Sequence, residues 1–154
     1  LRGASAPGSA LAFWITTKDT KITKEVIVHR ELVAKELVDS ALKVHSTLGP
    51  GLLESAYEAC LAYELGARGI SVSRQKLLPI RYGRVEIDVG YRIDLLVDDQ
   101  IIVELKSVSA LLPVHEAQLL SYLKLGNYHL GFLLNFNVGR MKEGIRRMLT
   151  GYWP

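Results

Sequence analysis

The residues best placed to do chemistry lie in one stretch, Tyr91 to Lys106, which reads YRIDLLVDDQIIVELK. Two β-rich runs, Tyr91 to Val97 and Gln100 to Lys106, flank a polar turn there. Side chains alternate faces along a strand. On the second run Ile101, Val103 and Leu105 point one way, and Ile102, Glu104 and Lys106 the other. On the first, Arg92, Asp94 and Leu96 share a face opposite Tyr91, Ile93, Leu95 and Val97. A three-residue hairpin loop, Asp98-Asp99-Gln100, pairs Val97 with Ile101 and sets Asp94 opposite Glu104. A two-residue loop would pair Asp94 with Val103 and mix the faces, so the apolar pattern selects the odd-length loop. The two carboxylates would then stand about 5 Å apart at their Cβ atoms. Like charges that close call for a proton or a cation between them. Hard oxygen donors suit Mg²⁺ or Mn²⁺, and Lys106 lies beside that site. A plain surface ion-pair cluster has the same residue pattern, and the hairpin alone does not separate the two.

Other polar residues sit at suggestive spacings. Glu54 is followed by Tyr57, Leu61 and Leu65, which makes it an acid on the apolar stripe of a helix. A buried carboxylate needs a partner or a cation. A first-turn glutamate favoured by the helix dipole is an equal reading. Gln118 and Tyr122, four apart on a helix, share a face, which taken alone reads as an edge of helix–sheet packing. His45 reads as a core or cap histidine, with a place at the edge of a site as the alternative. His115 reads as a solvated helix residue, and Cys60 as a small hydrophobe rather than a nucleophile. Arg140, Lys142, Arg146 and Arg147 make the last predicted helix basic. That face is either solvated or in contact with phosphates.

The elements that must position these groups follow from periodicity. Ala34, Leu37, Val38, Ala41, His45 and Leu48 repeat at helical spacing, with the pattern beginning near Lys24 and Gly49-Pro50-Gly51 stopping it. A second helix is predicted from about Leu52 to Arg68, with Gly69 as its stop. Leu77 to Tyr82, Tyr91 to Val97 and Gln100 to Lys106 read as strands. Pro113 opens a helix from about Val114 to Leu125, which Gly126-Asn127 ends. Leu130 to Phe136 has strand length and composition, and Gly139 to Leu149 reads as a final helix through Met141, Ile145 and Met148. The predicted order is α-α-β-β-β-α-β-α, an α/β fold around one mixed central β-sheet flanked by helices.

The 154 residues suit one domain with its own core, and 49% hydrophobic and 23% charged residues exclude disorder as the main state. One cysteine excludes an intrachain disulfide framework and a Cys-rich zinc site. No apolar run approaches the ~18 residues of a membrane span. Residues 1–23 are expected to form a leader and 24–154 a single domain, with the Gly/Pro/Ser-rich opening unlike a signal peptide and the cytoplasm as the expected location. A net charge of +3 permits a nucleic-acid partner without demanding one. Trp14 and Trp153, near the ends, would cap the core or a dimer contact.

Four motifs in order carry a resemblance. Gly51-Leu52-Leu53-Glu54-Ser55-Ala56-Tyr57 matches the G-x-x-E-x-x-Y signature of the GxxExxY protein family, which belongs to the PD-(D/E)XK nuclease superfamily. Asp94 followed by Glu104-Leu105-Lys106 resembles that superfamily's D…E-x-K core. Gln118-Leu119-Leu120-Ser121-Tyr122 resembles the Q-x-x-x-Y motif of exonuclease-like members, and Leu133-Leu134-Asn135-Phe136 the family's late L-x-N-F strand. The resemblance covers about Glu31 to Leu149 and implies a restriction-endonuclease-like core. It implies a metal-dependent nuclease acting on DNA, with a catalytically silent nucleic-acid-binding or assembly module as the alternative. By the same resemblance Asp94, Glu104 and the Leu105 carbonyl would ligate Mg²⁺ or Mn²⁺. Lys106 would orient the attacking water, Glu54 would complete the acidic side, and Gln118 would position Lys106 or the substrate backbone. Tyr122 would support its helix or touch the nucleic acid, and, from the charge of the last predicted helix rather than from the resemblance, Arg140 and Arg146 are the residues expected to contact its phosphates. So small a chain leaves little room for a separate recognition domain, so a partner or a homodimer is expected to supply specificity.

Overall fold

A computed structural model describes residues 9–88 and 90–151, with side chains from Thr20 onward. Trp153 and the Trp14 side chain, read above as caps or dimer contacts, lie outside what it describes. The chain divides into two compact units, Leu1–Leu32 and Val33–Pro154. Helix α1 spans Ser9–Leu48. It therefore begins well before the apolar periodicity, because Ile22, Val26, Ile27, Val28 and Leu32 are exposed and form no buried stripe for a pattern to reveal. Among the described residues no helix is long and apolar enough to cross a membrane.

The second unit holds the sheet. After α2 (Glu54–Ala67) come β1 (Val72–Leu77), β2 (Ile80–Tyr82), β3 (Val85–Ile87), β4 (Arg92–Val97) and β5 (Ile101–Lys106). Helix α3 (Pro113–Gly126), β6 (Leu130–Asn135), a 3₁₀ turn (Met141–Glu143) and β7 (Ile145–Leu149) complete it. The main sheet runs β1-β4-β5-β6-β7, antiparallel throughout except for the parallel β5–β6 pair, and β2–β3 form a separate hairpin. The mixed sheet flanked by helices is as expected. Val33, Ala34, Leu37 and Ala41 of α1 and Tyr57, Leu61 and Leu65 of α2 bury one face with Leu95, Val97, Ile101 and Val103. Leu119, Tyr122 and Leu123 of α3 cover the other with Leu96, Ile102 and Leu133. β5 and β6 are thus buried on both faces, which is why they read as continuous apolar runs.

Local chemistry accounts for the boundaries. Gly49 and Gly51 take φ of +70° and +101° after α1, values open to glycine at little cost. Pro113 sits in the first turn of α3, and Asn127 caps it in the left-handed region. Val97 pairs with Ile101 across the three-residue loop, as the apolar pattern required.

Three expectations are corrected. Leu77 to Tyr82 is not one strand: β1 ends at Leu77 and β2 begins at Ile80, with Pro79 between. Gly139 to Leu149 is not a helix but a 3₁₀ turn and an edge strand. Gly144 packs so closely on Asn135 that a Cβ there would run into the Asn135 carbonyl oxygen, and its own carbonyl accepts from Asn135 N–H at 2.8 Å. That contact turns the chain and lays Ile145–Leu149 along β6. The four basic residues consequently do not share a helix face. Arg146 lies opposite Leu133 and Arg147 opposite Phe132, so the two point to opposite sides of the sheet. The alternation on β4 is also broken: Ile93 packs with Leu96 under α3, whereas Leu95 and Val97 pack under α1 and α2.

Candidate active site

The break in alternation falls at Asp94. The β4–β5 ladder stops at Leu95↔Val103, and on the other side β1 pairs Arg74 with Leu95 and Lys76 with Ile93. Gln75 stands between them at φ +52°, a left-handed conformation that costs a side-chain-bearing residue about 1–2 kcal/mol. Backbone groups released from the ladders bind the acids instead. Asp94 N–H donates to Glu104 Oε1 at 3.2 Å, and Leu105 N–H donates to Asp94 Oδ2 at 2.9 Å. Each acid is thus anchored by the strand that carries the other, and the cross-strand juxtaposition expected from the hairpin is realised.

Burial and mutual repulsion dominate the electrostatics. Glu104 is 4% exposed. Desolvation first, and then the Asp94 charge, push its carboxyl up to about 8. Desolvation also raises Asp94, and the charge of Glu58 adds to it, while the Leu105 N–H, Gln75 and Lys106 pull the other way. Lys106 is half-buried, attracts both acids, and makes no ion pair with a described residue. The plain ion-pair cluster is therefore not what forms here.

Of the two readings of Glu54, the structure shows the first-turn glutamate rather than the buried acid. It is exposed at the start of α2, and its Oε1 accepts from Ser107 N–H at 3.2 Å. Ser107 Oγ donates to the Leu52 carbonyl at 2.7 Å, which ties the segment after β5 to the loop before α2. The buried acid of α2 is Glu58, one turn on, at 7% exposure. It accepts from Arg74 Nε at 2.9 Å and Gln75 Nε2 at 2.8 Å, and Gln75 Nε2 also reaches Asp94 Oδ1 at 3.3 Å. Glu54, Glu58, Gln75, Asp94, Ser107 and Asn137 line one open cavity of about 710 Å³. Glu58 and Gln75 were missed from sequence. The spacing Glu54–Glu58, four apart on the apolar side of α2, was the available signal for the first.

Two motif residues act as framework. Tyr57 Oη donates to the Gly49 carbonyl at 2.6 Å and accepts from Leu52 N–H at 3.1 Å, so it stitches the glycine loop that presents Glu54. Its ring stacks on Phe136 at 4.4 Å. Asn135, 2% exposed, accepts from Val108 and Asn137 N–H and donates to the Val108 carbonyl at 2.9 Å. His45 binds the Val138 carbonyl at 2.8 Å, in line with its reading as a structural histidine.

Gln118 and Tyr122 occupy a neighbouring cleft of about 350 Å³ with Ile80, Tyr91, Ser121 and Leu125. Gln118 Nε2 donates to Tyr122 Oη at 2.8 Å, and makes no hydrogen bond to Lys106 among the described residues. Burial raises the Tyr122 phenol, and the charges of Glu104 and Asp94 add to that, which places the ring within electrostatic reach of the acid pair. Arg140 and Arg146 are exposed, and Arg146 donates to the carbonyls of Glu143 and Ile145.

Among the described residues no three His, Cys, Asp or Glu side chains converge into a ready-made metal cage. The donors on offer are two coupled carboxylates and backbone oxygen. Hard oxygens whose full ionisation is opposed by their own proximity suit a hard divalent cation.

Neither the curated proteins nor the solved structures yield a match to this chain. A family model of the PD-(D/E)XK nuclease superfamily matches residues 31–148. Nucleases of this superfamily generally use divalent metal ions, which agrees with the donor set. The match takes in both acids, Lys106 and the whole five-stranded sheet up to Met148. With its restriction-endonuclease-like fold, the chain belongs to the PD-(D/E)XK nuclease superfamily.

Proposed function

We propose that the chain is a GxxExxY-type, divalent-metal-dependent nuclease that hydrolyses phosphodiester bonds in DNA. The coupled, buried acid pair carries this reading: Asp94 and Glu104 are each anchored by the other's strand, and Glu104 keeps its proton up to about 8. Packing two acids together destabilises a fold unless a cation offsets the repulsion. Asp94, Glu104 and the Leu105 carbonyl would hold Mg²⁺ or Mn²⁺, which when bound lowers the pKa of water and screens the phosphodiester charge.

The chain's own residues do the rest. Lys106 orients the attacking water and offsets charge developing on the phosphoryl oxygens. Gln75 holds Asp94 by its amide and uses Glu58 as its anchor. Glu54, fixed by Ser107 N–H, closes the acidic side of the cavity. Gln118 and Tyr122 meet the substrate from the adjoining cleft, and Arg140 and Arg146 meet its phosphates.

The test is a nuclease assay on single- and double-stranded DNA with Mg²⁺, Mn²⁺ or EDTA, run beside Glu104→Ala. Cleavage is expected with metal and is lost in EDTA and in the variant. Cleavage that survives either change would refute the assignment. DNA binding without cleavage under every condition would mark a silent binding module instead.

A further inference from the structure

Of the β2–β3 hairpin, Ile80 alone lines a cleft described above. The hairpin's two-residue turn has Gly83 at φ +60° as the first central residue, the glycine position of a type II′ turn. Pairing Ile80↔Ile87 and Tyr82↔Val85 puts these four side chains on one face, while Arg81 and Glu86 pair on the other. A two-stranded ribbon with an apolar face is rarely stable without cover. Yet Tyr82 is 78% exposed and Val85 59%.

That face is continuous with a cleft. Ile80 at the hairpin base lines the cavity that also holds Tyr91, Gln118 and Tyr122, and the Tyr91 and Tyr122 rings meet edge to face at 6.0 Å. The hairpin springs from the strand ends that carry Gln75 and Asp94, through the Leu77↔Arg92 pair and the Leu78 N–H to Tyr91 carbonyl bond. Extended backbone from Asp94 to the tip spans at most about 37 Å.

The charge is concentrated here too. Arg74 to Arg92 carries five basic residues and two acidic ones, a net +3 that equals the charge of the whole chain. Arg74 is bound to Glu58 and Arg81 pairs with Glu86. Lys76, Arg84 and Arg92 are exposed and make no ion pair with a described residue. Exposed aromatic rings flanked by uncommitted cations are the chemistry that binds unpaired bases and their phosphates. A duplex, whose bases are already stacked, has no use for the ring of Tyr82.

We propose that the β2–β3 hairpin is an arm that binds single-stranded DNA, with Tyr82 stacking on an unpaired base and Lys76, Arg84 and Arg92 holding phosphates. This deepens the nuclease reading and rests on it for the identity of the ligand. Binding without metal tests the two separately. Anisotropy of a labelled oligothymidylate and of its duplex is measured with the full chain in EDTA. The single strand is expected to bind more tightly than the duplex. Tyr82→Ala should weaken single-strand binding at least about fivefold, and Tyr82→Phe should retain it. Arg84→Ala should lower the slope of log affinity against log salt by about 0.7. Tyr63→Ala, an equally exposed tyrosine on α2 at 77%, is the matched control and should change nothing. Thermal melts establish that each variant is folded.

Three outcomes overturn the arm: no binding by wild type, binding indifferent to Tyr82→Ala, or a concentration-dependent dimer that Tyr82→Ala abolishes. The last would mean that a second copy covers this face. Tyr82-dependent binding with no cleavage in metal counts against the nuclease reading alone. Cleavage with Tyr82-independent binding counts against the arm alone.

Discussion

Replacing Glu104 by glutamine removes a titration while keeping the shape of the protonated acid. The Glu104 carboxyl is held up at about 8 against an ordinary 4.5, by burial first and by Asp94 second. Between those values the folded chain retains a proton that the unfolded chain has lost. Folding stability of the metal-free protein must therefore fall as pH rises through that window, the reverse of a salt-bridged carboxylate. At about 1.4 kcal/mol per pH unit the gap sets a ceiling of about 5 kcal/mol. For a domain of this size that is a melting difference of up to about 10–20 °C.

Thermal melts in EDTA from pH about 5 to about 9 should show wild type losing stability and Glu104→Gln staying nearly flat. The two should coincide at the acidic end and diverge above it, with the variant the more stable. Mn²⁺ should restore wild type at high pH, because a ligand of the folded state stabilises by mass action, and should barely move the variant. A wild-type curve that is flat or rises with pH in EDTA would refute the reasoning. Glu104 would then ionise as an ordinary glutamate, and the acids would not be coupled.

Two substitutions probe the framework. Gln75→Ala and Gln75→Gly both remove the amide that joins Glu58 to Asp94 and should lower cleavage alike. The glycine variant should nevertheless be the more stable by about 1 kcal/mol in urea titration, reversing the usual order in a strand, because φ +52° penalises a Cβ. Gly144→Ala should destabilise by about 2–3 kcal/mol in the same titration, since its methyl would displace the Asn135 carbonyl.

Gly144 also shows where sequence reading failed on the fold. Met141, Ile145 and Met148 have helical spacing, and all three are at least partly buried. Met141 and Ile145 pack beneath α1 and α2, whereas Met148 packs beneath α3. One helix stripe would bury all three on a single side. The chain instead runs as a strand along the sheet edge, and the close approach of Gly144 to Asn135 across the β6–β7 turn holds it there. Local periodicity carries no trace of such a contact. By comparison, β5 was legible because its register is set by a loop of three residues and a strictly apolar face.

The site divides along the same line. Asp94 and Glu104 were legible because a hairpin is a local structure, so counting residues across one loop brings them together. Glu58 and Gln75 were not, because their meeting depends on α2 packing against β1, and a glutamine at positive φ has no signature in a sequence. Yet these two hold the free edge of Asp94, and Gln75, at φ +52°, donates its amide to both Glu58 and Asp94. A backbone held in a costly conformation persists only where its surroundings over-determine it. Here those surroundings are the Arg74–Glu58 ion pair and the ladder on both sides of Gln75. The motif names the acids that would do the chemistry, and the orientation of Asp94 depends on residues outside the motif.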